Sequence, residues 1–389
     1  MCKTNTPACE LPRELHKGSG DIRGMNEGEE RVLAWMALLA RPRSGPVAVR
    51  REVERAGDVL AAWRRFAREH PDASRVTFDL ASERLDRTRA LGGDVLTFGD
   101  LRYPAPLSEI PDPPPVLFFQ GTWPDPAPWG RALAVVGTRA CTPQGAGWAR
   151  QLGREWTEAG GTLVSGLARG VDGRAHRGVL DGPRGGAQVA VLPCSLEAIH
   201  PRMHEPLARE ILDRGGLLLT EQPPGVQVEC WMFASRNRIL TGLAPRTVVV
   251  QSPARGGSLI SARCALDQNR DVFALWRSGM GPAWAGNRAL VADAEALPVQ
   301  DVDALWRALE KEVKGRPAAI ADATPSANPA GIPEGCANVW RALSSGRATS
   351  WVELKKKLGG PEQELERQLF TLEVLGWIRR VPGRAYLRA

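Results

Sequence analysis

Short apolar runs alternate with segments of helical spacing through the middle of the chain, and this alternation is the strongest structural pattern in the sequence. We predict six strands at the apolar runs, which are 132–136, 162–165, 188–192, 217–220, 247–251 and 272–275. Glycines, prolines and capping residues mark the ends of the segments between them. Strands that alternate with helices in this way form a parallel sheet covered on both faces, so the pattern predicts a Rossmann-like α/β core.

Two smaller regions precede this core. Residues 1–27 are polar and contain glycines, which predicts a disordered N-terminus. Residues 28–94 are predicted to form a helical module of the SAM or helix-hairpin-helix kind. Apolar residues recur there at helical spacing in 29–39, 47–55 and 59–69, so we expect three helices before the sheet begins.

The core itself is predicted to run from 95 to 312, and it opens with an edge strand pair around a Pro-rich turn in 95–122. Residues 313–334 are rich in Pro, Ala and Gly and have no periodicity, which predicts a flexible linker. In 335–389, three helices followed by a strand hairpin are typical of a C-terminal winged-helix domain.

Composition narrows the class of protein. The chain has 389 residues, of which 43% are hydrophobic and 24% charged, and this suits two or three globular domains. Its seven scattered cysteines contain no Cys-x-x-Cys pair, which argues against a disulfide framework and a zinc ribbon and fits a reducing cytosol. No apolar run has the length of a membrane span, so we expect a cytoplasmic protein without a membrane partner. The net charge of +7 allows binding to nucleic acid, although biased genome composition gives the same balance.

Glycine turns with neighbouring cations follow several of the predicted strands. The carboxyl ends of parallel strands meet in one crevice, where backbone amides at helix starts and arginine guanidinium groups both bind phosphate. An aromatic residue in the same crevice offers a face on which a base can stack. We therefore predict a binding site made of Gly137, Thr138, Arg139, Gly166, Arg169, Phe233, Arg236, Asn237, Gly257 and Ser258.

Several of these positions have a second interpretation. Arg139 is also able to pair with a nearby carboxylate. Successive helical residues diverge by ~100°, so only one or two of residues 236–238 face the crevice, and Arg238 is expected to be structural. Asp172 is interpreted as the N-cap of its helix, with His176 as its partner at i,i+4 spacing.

Seven motifs occur in order along the chain: Val-Gly-Thr-Arg (136–139), Ser-Gly-Leu-Ala-Arg-Gly-Val-Asp (165–172), Val-Leu-Pro (191–193), His-Pro-Arg (200–202), Phe-Ala-Ser-Arg-Asn-Arg-Ile (233–239), Gly-Gly-Ser-Leu-Ile-Ser-Ala (256–262) and Gly-Asn-Arg-Ala-Leu-Val (286–291). Together they resemble the DprA/Smf family of DNA-processing proteins over about 98–298. The chain departs from the family pattern at His200, where the family has Tyr before Pro201, and at 193–195, where the family has Gly-x-Gly.

This resemblance implies a protein that binds single-stranded DNA and is a homodimer through its core. It implies that the protein protects incoming DNA in natural transformation and loads RecA, with single-strand-binding protein as a further partner. The sequence has no Walker loop, no Gly-x-Ser-x-Gly elbow and no paired-carboxylate motif, so we predict no catalytic residue, no metal and no cofactor.

Three alternatives stay open. The first is a nucleotide hydrolase of the related Rossmann superfamily, which carries a glutamate after its Gly-rich turn. Here no acid follows Gly257 closely, and Glu221 is the only nearby candidate. The second is a regulator that binds DNA through the winged helix. The third is a metal site at His200, His204 and Glu205, which the proline at 201 makes less favourable than a crevice wall.

Overall fold

The computed structural model describes residues 26–124, 129–182, 187–315, 332, 334–343, 349–374, 377–381 and 385–388. Residues 1–25 of the predicted disordered N-terminus, and most of the predicted linker, lie outside these ranges.

Four helices come first: α1 Glu27–Leu39, α2 Pro46–Ala56, α3 Val59–Glu69 and α4 Pro71–Ala90. The first three confirm the prediction from apolar spacing. The fourth was not predicted, because much of its buried face consists of small or polar residues such as Ser74, Thr77 and Ala81. A buried face of this kind leaves little hydrophobic periodicity in the sequence.

The core alternates strands and helices along the chain: β1 Gly93–Thr97, α5 Ala105–Ser108, β2 Val116–Gly121, β3 Ala132–Val136, α6 Pro143–Glu158, β4 Thr162–Ser165, α7 Val171–Asp181, β5 Gln188–Val191, α8 Glu205–Asp213, β6 Leu217–Thr220, α9 Cys230–Gly242, β7 Arg246–Val249, α10 Gly257–Asp267, β8 Asp271–Leu275, α11 Ala285–Ala292, β9 Leu297–Val299 and α12 Val302–Gly315. All six predicted core strands are confirmed, with ends that differ by at most two residues. Thr142 is the N-cap of α6, since its side chain accepts a hydrogen bond from the Gly145 amide.

These strands form one nine-stranded sheet in the order β1-β2-β6-β5-β4-β3-β7-β8-β9. The strand pair β1–β2 and the pair β2–β6 are antiparallel, and the other neighbours are parallel. The predicted edge pair is therefore present, and β3 to β8 form the Rossmann-like core. Because these strands run in parallel, the turns after them lie along one edge of the sheet.

Helices cover both faces of the sheet. One face packs on α5, α9, α10 and α11. On the other face, α6, α7 and α12 cover β3, β4, β7 and β8, while α8 and the four N-terminal helices cover the β1, β2, β5 and β6 side. The N-terminal helices thus share an apolar cluster with the sheet.

Beyond the core, the structure describes α13 Ala337–Ala342, β10 Thr349–Ser350, α14 Trp351–Leu358, α15 Glu362–Val374, β11 Ile378–Val381 and β12 Ala385–Arg388. The strands pair in the order β10-β12-β11, and the region has its own apolar cluster. The winged-helix assignment and the domain boundaries stay predictions.

Within the described part of the chain, none of the helices combines the length and the apolar composition that crossing a membrane requires.

Helices α6 and α7 touch through glycines. A Cβ at Gly178 would overlap the Arg150 carbonyl oxygen, and one at Gly153 would overlap the Ala175 carbonyl oxygen. Gly147, on the same helix as Gly153, has open space around it. Substitution by alanine should therefore destabilise the protein at Gly178 and Gly153 but not at Gly147.

We expect Gly178→Ala to lower the free energy of unfolding by about 1–3 kcal/mol, because the backbone must move to admit the methyl group. Gly147→Ala is the matched control, and we expect it to raise that free energy by up to ~1 kcal/mol through helix propensity. Urea unfolding followed by circular dichroism measures both. Equal effects of the two changes would contradict the close approach of the helices.

Candidate functional site

A cavity of about 380 Å³ opens at the carboxyl ends of β3, β4 and β5. Its wall comes from four turns and the start of α9, and consists of Arg139, Ala140, Gly166, Ala168, Arg169, Pro193, His200, Pro201, Phe233 and Arg236. Five of the ten predicted site residues therefore meet around one space: Arg139, Gly166, Arg169, Phe233 and Arg236.

Arg139 and Phe233 form the open side of this cavity. The Arg139 Cζ lies 5.0 Å from the centre of the Phe233 ring, which is a cation–π contact. His200 meets the same ring edge to face, with 5.2 Å between ring centres. Arg139 is exposed, and no ion pair joins it to a carboxylate of the described residues. Arg139 interacts electrostatically with Asp172 but forms no ion pair with it, so its guanidinium edges are available to an anion.

The turn that carries Arg139 is fixed from both sides. The Thr138 amide donates to the Gln251 carbonyl oxygen at 2.7 Å, and its own carbonyl oxygen accepts from Val171. Gly170 has a φ of +77°, and a Cβ there would overlap the Thr138 carbonyl oxygen. Thr138 thus uses its amide inside the protein instead of offering it to a phosphate, and its contribution is to hold Arg139 in place.

Arg236 lies deeper than Arg139 and Arg169, the exposed cations of the same cavity. Only 6% of it is exposed, and its guanidinium donates to the carbonyl oxygens of Gly166 (2.7 Å) and Val191. Burial lowers the pKa of Arg236, and the nearby Asp172 opposes that effect. Arg236 therefore lines the cavity, as predicted, but it does so from the floor, where its guanidinium is bound by carbonyl oxygens of the protein.

Asp172 is the counter-ion of this floor. Burial raises the pKa of its carboxyl group, while Arg236 and the amides of Ala168 and Gly166 oppose the shift. The N-cap position of α7 belongs to Gly170, so the interpretation of Asp172 as the cap is wrong. The carboxylate instead lies in the first turn, where it interacts electrostatically with Arg236 without forming an ion pair.

His176 does not pair with Asp172. Its Nδ1 lies 2.9 Å from Gln188 Oε1, and burial lowers its pKa to about 4. Arg238 is structural, as expected, since it pairs with Asp112 at 3.0 Å and with Glu221. The polar residues of this region therefore divide into buried braces and an exposed cation at the rim.

Five predicted site residues do not line the cavity: Gly137, Thr138, Asn237, Gly257 and Ser258. Gly137 lets the Val171 side chain pack against the turn. Asn237 and Ser258 are buried, and the Asn237 amide group lies 3.4 Å from the Gly257 carbonyl oxygen. Gly257 is exposed at the start of α10.

The other five wall residues are Ala140, Ala168, Pro193, His200 and Pro201. His200 and Pro201 confirm the crevice wall that was preferred to a metal site at this segment, while Ala140, Ala168 and Pro193 gave no chemical signal. His204 Nδ1 lies 2.8 Å from the Leu167 carbonyl oxygen, and the described residues contain no group of three His, Cys, Asp or Glu arranged to hold a metal.

Comparison with known proteins identifies the family. Residues 94–310 match the sequence profile of the family described as DNA recombination-mediator protein A. This chain belongs to that family. It is 36% identical over 290 residues to Protein Smf of Escherichia coli (strain K12), covering 74% of this chain and 75% of the relative. It is 35% identical over 203 residues to DNA processing protein DprA of Streptococcus pneumoniae (strain ATCC BAA-255 / R6), covering 52% and 70%.

The X-ray structure of DNA processing protein A from Streptococcus pneumoniae is similar in fold, with a TM-score of 0.55 and 27% identity. The likeness covers 72% of this chain and 94% of that one. The DprA/Smf resemblance derived from seven motifs is thereby confirmed.

We expect Arg236→Ala to destabilise the protein by about 2–4 kcal/mol, because it leaves the buried carbonyl oxygens of Gly166 and Val191 without their donor. Arg139→Ala removes an exposed side chain at the same cavity, so its free energy of unfolding should stay within ~0.5 kcal/mol of the wild type. Urea unfolding of both variants checks this. If Arg236→Ala were as stable as Arg139→Ala, the interpretation of Arg236 as a buried brace would fail.

Proposed function

We propose that this protein binds single-stranded DNA in the cavity at the carboxyl edge of its sheet. The observation that carries the proposal is the contact between Arg139 and Phe233, in which an exposed, unpaired cation lies over an aromatic ring. A cation that tracks phosphates beside an aromatic platform is the combination found in proteins that bind single strands.

The shape of the site favours a single strand over a duplex. A concave space of about 380 Å³ accepts an unstacked base, whereas the bases of a duplex are paired and stacked inside it. Its wall offers guanidinium groups, backbone and an aromatic ring, which contact phosphates and base faces without reading base edges. The proposed binding is therefore independent of DNA sequence.

The proposal includes no catalysis, metal or cofactor. Glu221, the one carboxylate considered for nucleotide hydrolysis, accepts hydrogen bonds from Ser235 and Arg238. It lines a different cavity, of about 390 Å³, between the N-terminal helices and the core. No observation therefore favours the hydrolase alternative, and none favours a regulator that acts through the C-terminal region.

The family description and the names of the relatives extend the proposal to a role in recombination. A protein of a recombination-mediator family that covers single strands without sequence preference is suited to protecting incoming DNA in natural transformation and to loading RecA on it. We propose a cytoplasmic homodimer, since two linked cavities on one strand raise effective affinity without new contacts. Single-strand-binding protein is then a further partner, as the protein that a loader has to displace.

We expect Arg139→Ala to weaken binding to single-stranded oligonucleotides and to reduce the slope of log affinity against log salt by ~0.7 for each phosphate that the variant no longer neutralises. Arg307→Ala is the charge-matched control. Arg307 is exposed on α12 beside Trp306, which contacts Trp156 near the amino end of β3, at the opposite edge of the sheet. Fluorescence anisotropy across salt concentrations measures both. An unchanged slope in Arg139→Ala would remove the cavity from the proposal.

We further expect the wild-type protein to speed RecA assembly on strands coated with single-strand-binding protein, and Arg139→Ala to lose most of this effect. RecA-dependent ATP hydrolysis on coated strands is the measurement, with Arg307→Ala as the control. If the rate does not change at saturating wild-type protein, the loading role fails even where strand binding holds.

A further inference from the structure

The sheet edge that carries the cavity continues beyond it. Val136 of β3 pairs with Val249 of β7, and Val249 pairs with Ala274 of β8. Arg139 lies in the turn after β3, and Arg277 follows the end of β8, two strands away along the same edge of the sheet.

Arg277, like Arg139, lies beside an aromatic ring. Its Cζ lies 6.0 Å from the centre of the Trp148 ring, a second cation–π contact at this edge. Arg277 is exposed and has no ion pair with a carboxylate in the described ranges. Trp148 is half-buried and meets the buried Trp284 edge to face, with 6.4 Å between ring centres. The tryptophan is thus supported from behind and has a cation beside it.

Gln251 connects the two positions rigidly. Its carbonyl oxygen accepts from the Thr138 amide, and its Oε1 accepts from the Thr142 amide at 2.9 Å. Its Nε2 donates to the Ala283 carbonyl oxygen at 3.4 Å, next to Trp284. One residue therefore joins the Arg139 turn through its backbone, and the start of the Trp148 helix and the segment that carries Trp284 through its side chain. Fixed positions of this kind reduce the ordering cost of binding.

We propose that Arg277 and Trp148 form a second nucleotide-binding subsite, which takes a further nucleotide of the strand held at Arg139 and Phe233. The inference rests on the proposed function and adds a location to it. A guanidinium beside an indole keeps its N–H edges free for a phosphate, while its plane and the ring offer stacking surface to a base. A purely structural contact would need only the Trp148–Trp284 packing, without an exposed cation.

The test uses the full-length protein and a 20-nucleotide oligo-dT. We expect Arg277→Ala to reduce affinity several-fold and to flatten the log–log salt slope by ~0.7, as Arg139→Ala does. Arg307→Ala removes the same charge at the opposite edge and should leave the slope unchanged. If Arg277→Ala behaves as Arg307→Ala while Arg139→Ala is impaired, the second subsite is wrong and the proposed function stands. If the wild type does not bind oligo-dT, both are wrong.

Photocross-linking locates the strand directly. Oligo-dT carrying 5-iododeoxyuridine at successive positions, irradiated with wild-type protein and digested for mass spectrometry, should give a cross-linked peptide that contains Trp148 besides one that contains Phe233. The Trp148 cross-link should weaken in Arg277→Ala and persist in Arg307→Ala. Cross-links at Phe233 without any at Trp148 would overturn the subsite.

Discussion

The guanidinium of Arg236 lies inside the protein, and the carbonyl oxygens of Gly166 and Val191, at or next to the ends of β4 and β5, both accept its hydrogen bonds. A buried cation needs a counter-charge, which Asp172 supplies from the first turn of α7. The ends of β4 and β5 and the helices α7 and α9 thereby meet around the charge of Arg236. Phe233 belongs to the same helix as Arg236, one turn earlier, so the brace also fixes the aromatic side of the cavity.

The arginines of the cavity have two different roles. Inside, Arg236 donates to backbone carbonyl oxygens, and the nearby Asp172 opposes the effect of burial on its pKa. At the rim, Arg139 and Arg169 have no ion pair with any carboxylate that the structure describes. The local field of the cavity is therefore positive, and it rests on a hydrogen-bonded floor. Gly166 belongs to this design, because a Cβ there would overlap the Arg236 guanidinium.

Sequence reasoning predicted the sheet and the family, and it was less reliable for side chains. The strands of the core were predictable because each is a short apolar run bounded by helix-capping residues, and such a run is typical of a buried strand. The depth of Arg236 was not, since periodicity does not show which residue of 236–238 faces a cavity and which faces the interior. His176 was assigned to Asp172 by helical spacing, yet its partner Gln188 comes from a strand. Contacts between elements are set by packing, which spacing within one helix does not report.

The turn around Gly257 and Ser258 is a second case in which contacts between elements set the role of residues that were predicted from local sequence. Asn287 accepts from the Ser252 amide at 2.6 Å, and its side-chain amide donates to the carbonyl oxygens of Val249 and Leu275. It therefore ties the ends of β7 and β8 together. Ser258, a predicted site residue, donates to the Ser252 hydroxyl at 2.9 Å and so belongs to the same network. A DNA strand bound along this edge would depend on the spacing between β7 and β8, because that spacing fixes the turn after β8 relative to the Arg139 turn.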